Sequence, residues 1–224
     1  MRNPHLLRAP VAGSYRDHDA VRPALYWRLA EPMLAVASAP VGGGIGVREW
    51  IVNAQVPLDY ERTDLEAHLA AIASELGCSG PGVGFLTAAP VDRVTTARDE
   101  GVVAYATVGL RHPTWAADAE HATSSQPGVG TINVVVGVPR RLVDAALVNA
   151  VITATEAKTQ ALLDARVPGT GTASDAVCVV CPAGGGSEAF AGPRSPVGAS
   201  LARAVHSAVA AGTARAWPVT EAGL

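Results

Sequence analysis

Residues 140–165 read RRLVDAALVNAVITATEAKTQALLDA, and the period of this stretch decides the fold. On a wheel of roughly 100° per residue, Val143, Val151, Ala154, Ala161 and Leu162 gather within about 60° of Leu147. Val148, Ile152 and Leu163 form a second apolar band on the other side, so the segment predicts an interior helix covered on two faces. Two charges interrupt it. Lys158 falls in the middle of the first stripe and Glu156 beside the second band, about 160° apart and too far round to pair with each other. Each therefore needs its own partner or its own path to water past short neighbours.

Working outward, the helix is preceded by the strand-like TINVVVGV (131–138) and followed by SDAVCVVC (174–181). Upstream, MLAVASAP (33–40), VREWIVNAQV (47–56), GVGFLTA (82–88), VDRVTTA (91–97) and GVVAYATVGL (101–110) read as further strands. Short links between the last three suggest a meander or hairpins. DLEAHLAAIASELG (64–77) has helical spacing, an Asp64 N-cap and a closing Gly77, and SPVGASLARAVHSAVAAG (195–212) predicts a final helix. The sum is one layered α+β domain, with a mixed or antiparallel β-sheet core and a long interior helix, over residues 25–212. A polar, Pro-containing arm (1–24) and a C-terminal tail (213–224) flank it. RHPTWAADAEHATSSQPGVG (111–130) is the longest loop, and loops of that length inside a compact domain are usually functional or disordered.

Composition narrows the function classes. With 224 residues, 49% of them hydrophobic, the chain can bury one substantial core, and at 4% aromatic content Val, Ala and Leu must fill it. Seventeen basic against twenty acidic side chains give a net charge of −3 without any block of like charge, which argues against nucleic acid and anionic membranes as partners. A small molecule is the expected partner, and a homo-oligomer is compatible with the pattern. No signal-like or membrane-spanning apolar run is present, so the expected location is cytoplasmic. Cys78, Cys178 and Cys181 do not make a disulfide framework. Cys178 and Cys181 lie three apart on a strand and so face opposite ways, which argues against a shared metal; no metal and no cofactor are expected.

The motifs taken singly exclude more than they assign. VGGGIG (41–46) lacks the third glycine and following helix of a dinucleotide site, and reads as a turn or as backbone amides approaching a ligand oxygen. VPGTGTASDAV (167–177) has no Lys-Ser/Thr after its glycines, which excludes a P-loop. In GTIN (130–133), Thr131 and Asn133 project to one side of a strand. The histidines show no metal-ligand spacing, His112 and His121 of the long loop being the pair of interest, and no serine has a G-x-S-x-G setting.

Their order is more specific. GGG and the strand ending in Asn53 (41–53), VGFLTAAPV (83–91), AYATVGL (104–110), GTINVVV (130–136), NAVITATEAKTQAL (149–162) and GTASDAV (171–177) together resemble the CbiZ family, the adenosylcobinamide amidohydrolases. The resemblance runs from about Met33 to Val209, and GTIN followed by ATEAK is its most diagnostic piece. It implies hydrolysis of the amide between the aminopropanol arm and the corrin ring, giving adenosylcobyric acid and 1-amino-2-propanol, with the corrinoid as substrate rather than cofactor. The chain departs from the family pattern at Ser174, where a Thr is usual, and at Arg194 in GPRS (192–195), where the family tends to carry a His. Arg cannot exchange a proton near neutral pH.

Amide hydrolysis needs an activated nucleophile, oxyanion stabilisation and a proton for the leaving amine. Glu156 is the expected water-activating base, since a partly desolvated carboxylate on an interior helix is a better base. Lys158 is cast as the holder of Asp175 or of a substrate amide, Asp175 as the proton shuttle, and Thr131 as an alternative nucleophile. Thr131, Asn133 and the amides of Gly42, Gly43 and Gly44 are the expected polarisers of the scissile carbonyl. Asn53, Thr172, Ser174 and Arg194 complete the expected substrate contacts. The competing expectations are a non-catalytic corrinoid-binding or regulatory relative, prompted by Arg194, and an amidohydrolase acting on another amide.

Overall fold

The structure, a computed structural model, describes residues 7–118 and 130–217. Its centre is an eight-stranded sheet in the order β4-β3-β2-β9-β7-β6-β5, with β1 added against β2. β1 (Val11–Asp17), β2 (Ala20–Ala37) and β3 (Gly44–Gln55) form an antiparallel run. α1 (Leu65–Glu75) then carries the chain over to β4 (Gly82–Thr87), which pairs parallel to β3. β5 (Thr95–Asp99), β6 (Val102–Gly109) and β7 (Thr131–Gly137) are antiparallel neighbours on the far side of the sheet. After the short β8 (Arg141–Leu142), α2 (Asp144–Asp164) crosses over to β9 (Ala176–Pro182), which lies parallel to β7 and antiparallel to β2. The two-residue β10 (Ser187–Glu188) pairs with β8, and α3 (Pro196–Ala216) closes the domain.

The α+β class, the mixed sheet and the three helices follow the sequence pattern, although the helix expected from 140 starts at Asp144, with Arg141–Leu142 a strand before it; four further expectations fail. Residues 11–24, expected in a surface arm, are strands β1 and the start of β2, with Val11 opposite Tyr26 and Asp17 opposite Ala20. Their side chains mostly face solvent and Pro32 sits where the β2 register shifts between Arg28 and Met33, so both the polar composition and the proline hid an edge hairpin. Second, β4 is not part of a meander with β5: it pairs with β3, at the opposite end of the sheet, and Val91–Arg93 is a 3-10 turn between them. Third, α3 runs four residues beyond Gly212, to Ala216.

The fourth difference bears on function. α2 buries one face only. Leu147, Ala150, Ala154, Ala161 and Leu162 are fully buried, while Val148, Ile152 and Leu163 of the second band are 51%, 50% and 46% exposed. α2 and α3 pack side by side on one face of the sheet and share a core with Ile132, Val134 and Val136 of β7. Each such aliphatic side chain contributes roughly 1.5–3 kcal/mol by burial. Residues of the opposite face, including Val135, Phe85, Trp27 and Tyr105, build a second core, and α1 covers a third against β3. Cys178 belongs to the second core and Cys181 to the first, as their spacing on a strand required. Burial pushes both thiols up, that of Cys178 to about 12.

Candidate functional site

The second face of the sheet curls enough to bring β3 and β4 against β6 and β7. Asn53 Nδ2 donates to Thr107 Oγ1 at 3.0 Å, and Asn133 Nδ2 donates to Asn53 Oδ1 at 3.0 Å and to the Leu86 carbonyl at 3.3 Å. Asn133 and Leu86, at one end of this buried chain, line a cleft of about 770 Å³. Thr131, Asn133, Ser174 and Asp175 line its polar side; Phe85 and Leu86 of β4 and the 57–62 segment after β3 form much of the rest. Because Thr131 and Asn133 alternate with Ile132, the same strand offers polar groups to the cleft and apolar ones to the helices.

Behind that polar side stands a carboxylate with every acceptor position taken. Asp175, just ahead of β9, forms an ion pair with Lys158 of α2, whose side chain is 8% exposed. The same carboxylate accepts from the backbone N–H of Ile132 at 3.0 Å and from the Thr172 N–H at 3.1 Å and hydroxyl at 2.5 Å. Four donors match the roughly four lone-pair sites of a carboxylate, which leaves none for a substrate proton. Gly171 is required here: a Cβ on it would strike both the Asp175 carboxylate and the Lys158 ammonium. The pair thus bolts α2 to the β7 and β9 ends that carry Thr131 and Ser174. Those two hydroxyls lie 2.8 Å apart; Thr131 is nearly buried and Ser174 exposed.

On the opposite wall, Tyr60 hydrogen-bonds His68 Nδ1 of α1 at 2.7 Å and stacks on its ring. Burial lowers the His68 pKa and raises that of Tyr60, and the imidazole tautomer sets which of the two donates. Asp64, expected to cap α1 with its side chain, instead binds the Arg62 guanidinium at 2.6 and 2.9 Å, which holds its carboxyl below the usual range.

The expected site residues divide sharply. Thr131, Asn133, Ser174 and Asp175 meet in the cleft, with Thr172 and Lys158 held to Asp175 and Asn53 behind Asn133. Glu156 is not with them. It is exposed and lines a groove between α2 and α3 with Arg203 and His206, without the desolvation that a water-activating role presupposed. Gly42, Gly43 and Gly44 form the β2–β3 turn outside the cleft; the Gly42 carbonyl accepts from Arg48 at 2.8 Å, and Gly42 takes φ 67° against Gly82, where a side chain would not fit. Arg194 is exposed in the turn before α3 and does not line the cleft either. His112 is an exposed residue outside the cleft, and His121 lies outside the described residues. Sequence reasoning missed Ser38, Thr87 and Tyr60 as cleft residues. Thr87 was visible inside VGFLTAAPV, but nothing local marked Ser38 or Tyr60.

Comparison with known proteins converges on one family. The family model described as adenosylcobinamide amidohydrolase matches residues 9–220. The adenosylcobinamide amidohydrolase of Methanosarcina mazei is 32% identical over 142 residues, covering 63% of this chain and 66% of its own length. That of Halobacterium salinarum is 38% identical over 130 residues, covering 56% of each. The matched part thus spans somewhat less than two thirds of these relatives' own lengths. A solved protein from Pyrococcus horikoshii is similar over 91% of this chain and 82% of its own, at 12% identity and a TM-score of 0.43.

Proposed function

Since the chain belongs to the adenosylcobinamide amidohydrolase family, we propose that it hydrolyses the amide joining the aminopropanol arm of adenosylcobinamide to the corrin ring. The products are adenosylcobyric acid and 1-amino-2-propanol. The observation that carries this reading is the paired hydroxyls of Thr131 and Ser174, 2.8 Å apart on the polar side of a cleft of about 770 Å³ and braced from behind by the Lys158–Asp175 ion pair. A cleft of that size takes the reacting arm and part of a large ligand, with the remainder outside.

The roles follow from which hydrogen-bonding capacity is free. Asp175 is a positioning residue, saturated by its four donors, and Lys158 keeps it in place. Both N–H groups of Asn133 are spent on Asn53 and Leu86, so Asn133 serves as an acceptor for a substrate amide N–H and not as a polariser of the carbonyl. One hydroxyl hydrogen bridges Thr131 and Ser174. Ser174, the exposed member, meets the scissile amide; its hydroxyl hydrogen, donated to the Gly130 carbonyl at 3.3 Å, turns to the developing oxyanion, an interaction worth about 2.7–4 kcal/mol where measured in other enzymes. Thr131 orients it from the buried side.

The binding-only alternative drew on Arg194, and an exposed Arg194 outside the cleft gives it no support. Incubation of the purified protein with adenosylcobinamide, followed by chromatography for both products, tests the proposal. Equimolar adenosylcobyric acid and 1-amino-2-propanol are expected; tight corrinoid binding with neither product would reject hydrolysis.

A further inference from the structure

Beside the cleft, and sharing Val56, Pro57, Leu58 and Ala88 with it, lies a second recess of about 570 Å³. Four arginines line it: Arg22 from β2, Arg93 from the 3-10 turn, Arg111 after β6 and Arg215 from the last turn of α3. No Asp or Glu is among its lining residues. Arg22 pairs with Asp17 at 3.0 Å, whereas Arg93, Arg111 and Arg215 have no carboxylate partner among the described residues. In a chain with net charge −3, four arginines from four separate elements lining one concavity, three of them without a carboxylate partner among the described residues, run against the overall balance. Like charges repel, weakly here because Arg93, Arg111 and Arg215 are exposed and screened, and an anion joining the cluster removes that repulsion. Guanidinium is the side-chain cation best matched to phosphate, because its planar fork binds two oxygens at once.

We infer that this recess binds a phosphate group. Two sources share that chemistry: a phosphate ester on the arm of the corrinoid seated in the adjoining cleft, or free inorganic phosphate. The first rests on the proposed substrate and the second does not. The shared wall favours the first, since the recess adjoins the cleft along Val56, Pro57, Leu58 and Ala88.

Calorimetric titration separates the cases without requiring turnover. Inorganic phosphate, adenosylcobinamide and its phosphate ester are each titrated into the wild-type protein and into Arg93→Gln, Arg215→Gln and the double variant. All three variants change exposed side chains, and thermal melts check that each is folded. The ester should bind at least tenfold more tightly than adenosylcobinamide, and the double variant should erase that margin, as should raised salt. Phosphate binding that the double variant abolishes, without a margin for the ester, supports the phosphate site and assigns it to the free ion. The inference is overturned if neither the ester margin nor phosphate binding appears, or if either survives in the double variant. Failure of adenosylcobinamide itself to bind would count against the proposed substrate, while the phosphate titration would still report on the recess.

Discussion

Lys158 and Glu156 stand two residues apart on α2 and occupy opposite surroundings. Lys158 is buried at 6% exposure and ion-paired with Asp175; Glu156 is exposed over the groove facing α3. About half a turn of helix separates a charge that holds two strand ends together from a charge that water already satisfies. The difference teaches that a charged residue in an apolar helix is informative by which stripe it interrupts. Lys158 breaks the stripe that packs on the sheet, and there a charge needs a partner. Glu156 lies beside Val148 and Ile152, which the fold leaves at the surface.

Substitutions on the two sides should therefore differ in size. Asp175→Ala removes the partner of a buried ammonium and strands the N–H groups of Ile132 and Thr172, so a loss of about 3–5 kcal/mol in urea unfolding is expected. A loss below about 1 kcal/mol would mean that the pair is solvated and the contrast with Glu156 unreal. Lys158→Met keeps the apolar stem and leaves Asp175 three of its four donors. About 1.5–3 kcal/mol is the expected cost, a charge-assisted hydrogen bond.

On the solvent side, Arg203 binds Asp99 at 2.6 and 2.8 Å and holds its carboxyl below the usual range. A depressed carboxylate pKa stabilises the fold above about pH 4, and that contribution fades as the pH falls through the lowered value. The Tm difference between wild type and Arg203→Gln should thus be small at pH 7, shrink toward pH 3 and shrink again in 1 M salt. A difference that persists in acid and salt would assign Arg203 a packing role. Smallest of all, Glu156→Gln should shift stability by no more than about 0.5 kcal/mol.

Period and punctuation made much of the fold legible. TINVVVGV, the long helix and SDAVCVVC appear as β7, α2 and β9, and the burial of Lys158's stripe followed from the wheel. Pairing between distant strands was not legible, because no local signal says that β4 joins β3 while β5 joins β6. Nor does apolar composition reveal whether a second band on a helix will find a covering layer; for Val148, Ile152 and Leu163 the described fold supplies none. At the site, the period-two placement of Thr131 and Asn133 on one strand face was readable. The saturation of Asp175 was not, since its four donors come from residues as far apart in sequence as Ile132 and Thr172. Gly42, Gly43 and Gly44 kept the structural use that glycines most often have in turns.

The most direct test of the account compares the two α2 charges in one assay: release of 1-amino-2-propanol from adenosylcobinamide by Glu156→Gln and by Lys158→Met, at saturating substrate and with each variant verified as folded. The account predicts that Glu156→Gln turns over within about twofold of wild type, while Lys158→Met loses about 10²-fold because Asp175, short of one donor, holds Ile132 and Thr172, and with them the neighbouring Thr131 and Ser174, less firmly. A Glu156→Gln enzyme slowed by about 10²-fold beside a near-normal Lys158→Met enzyme would contradict it, moving the chemistry to the helix groove.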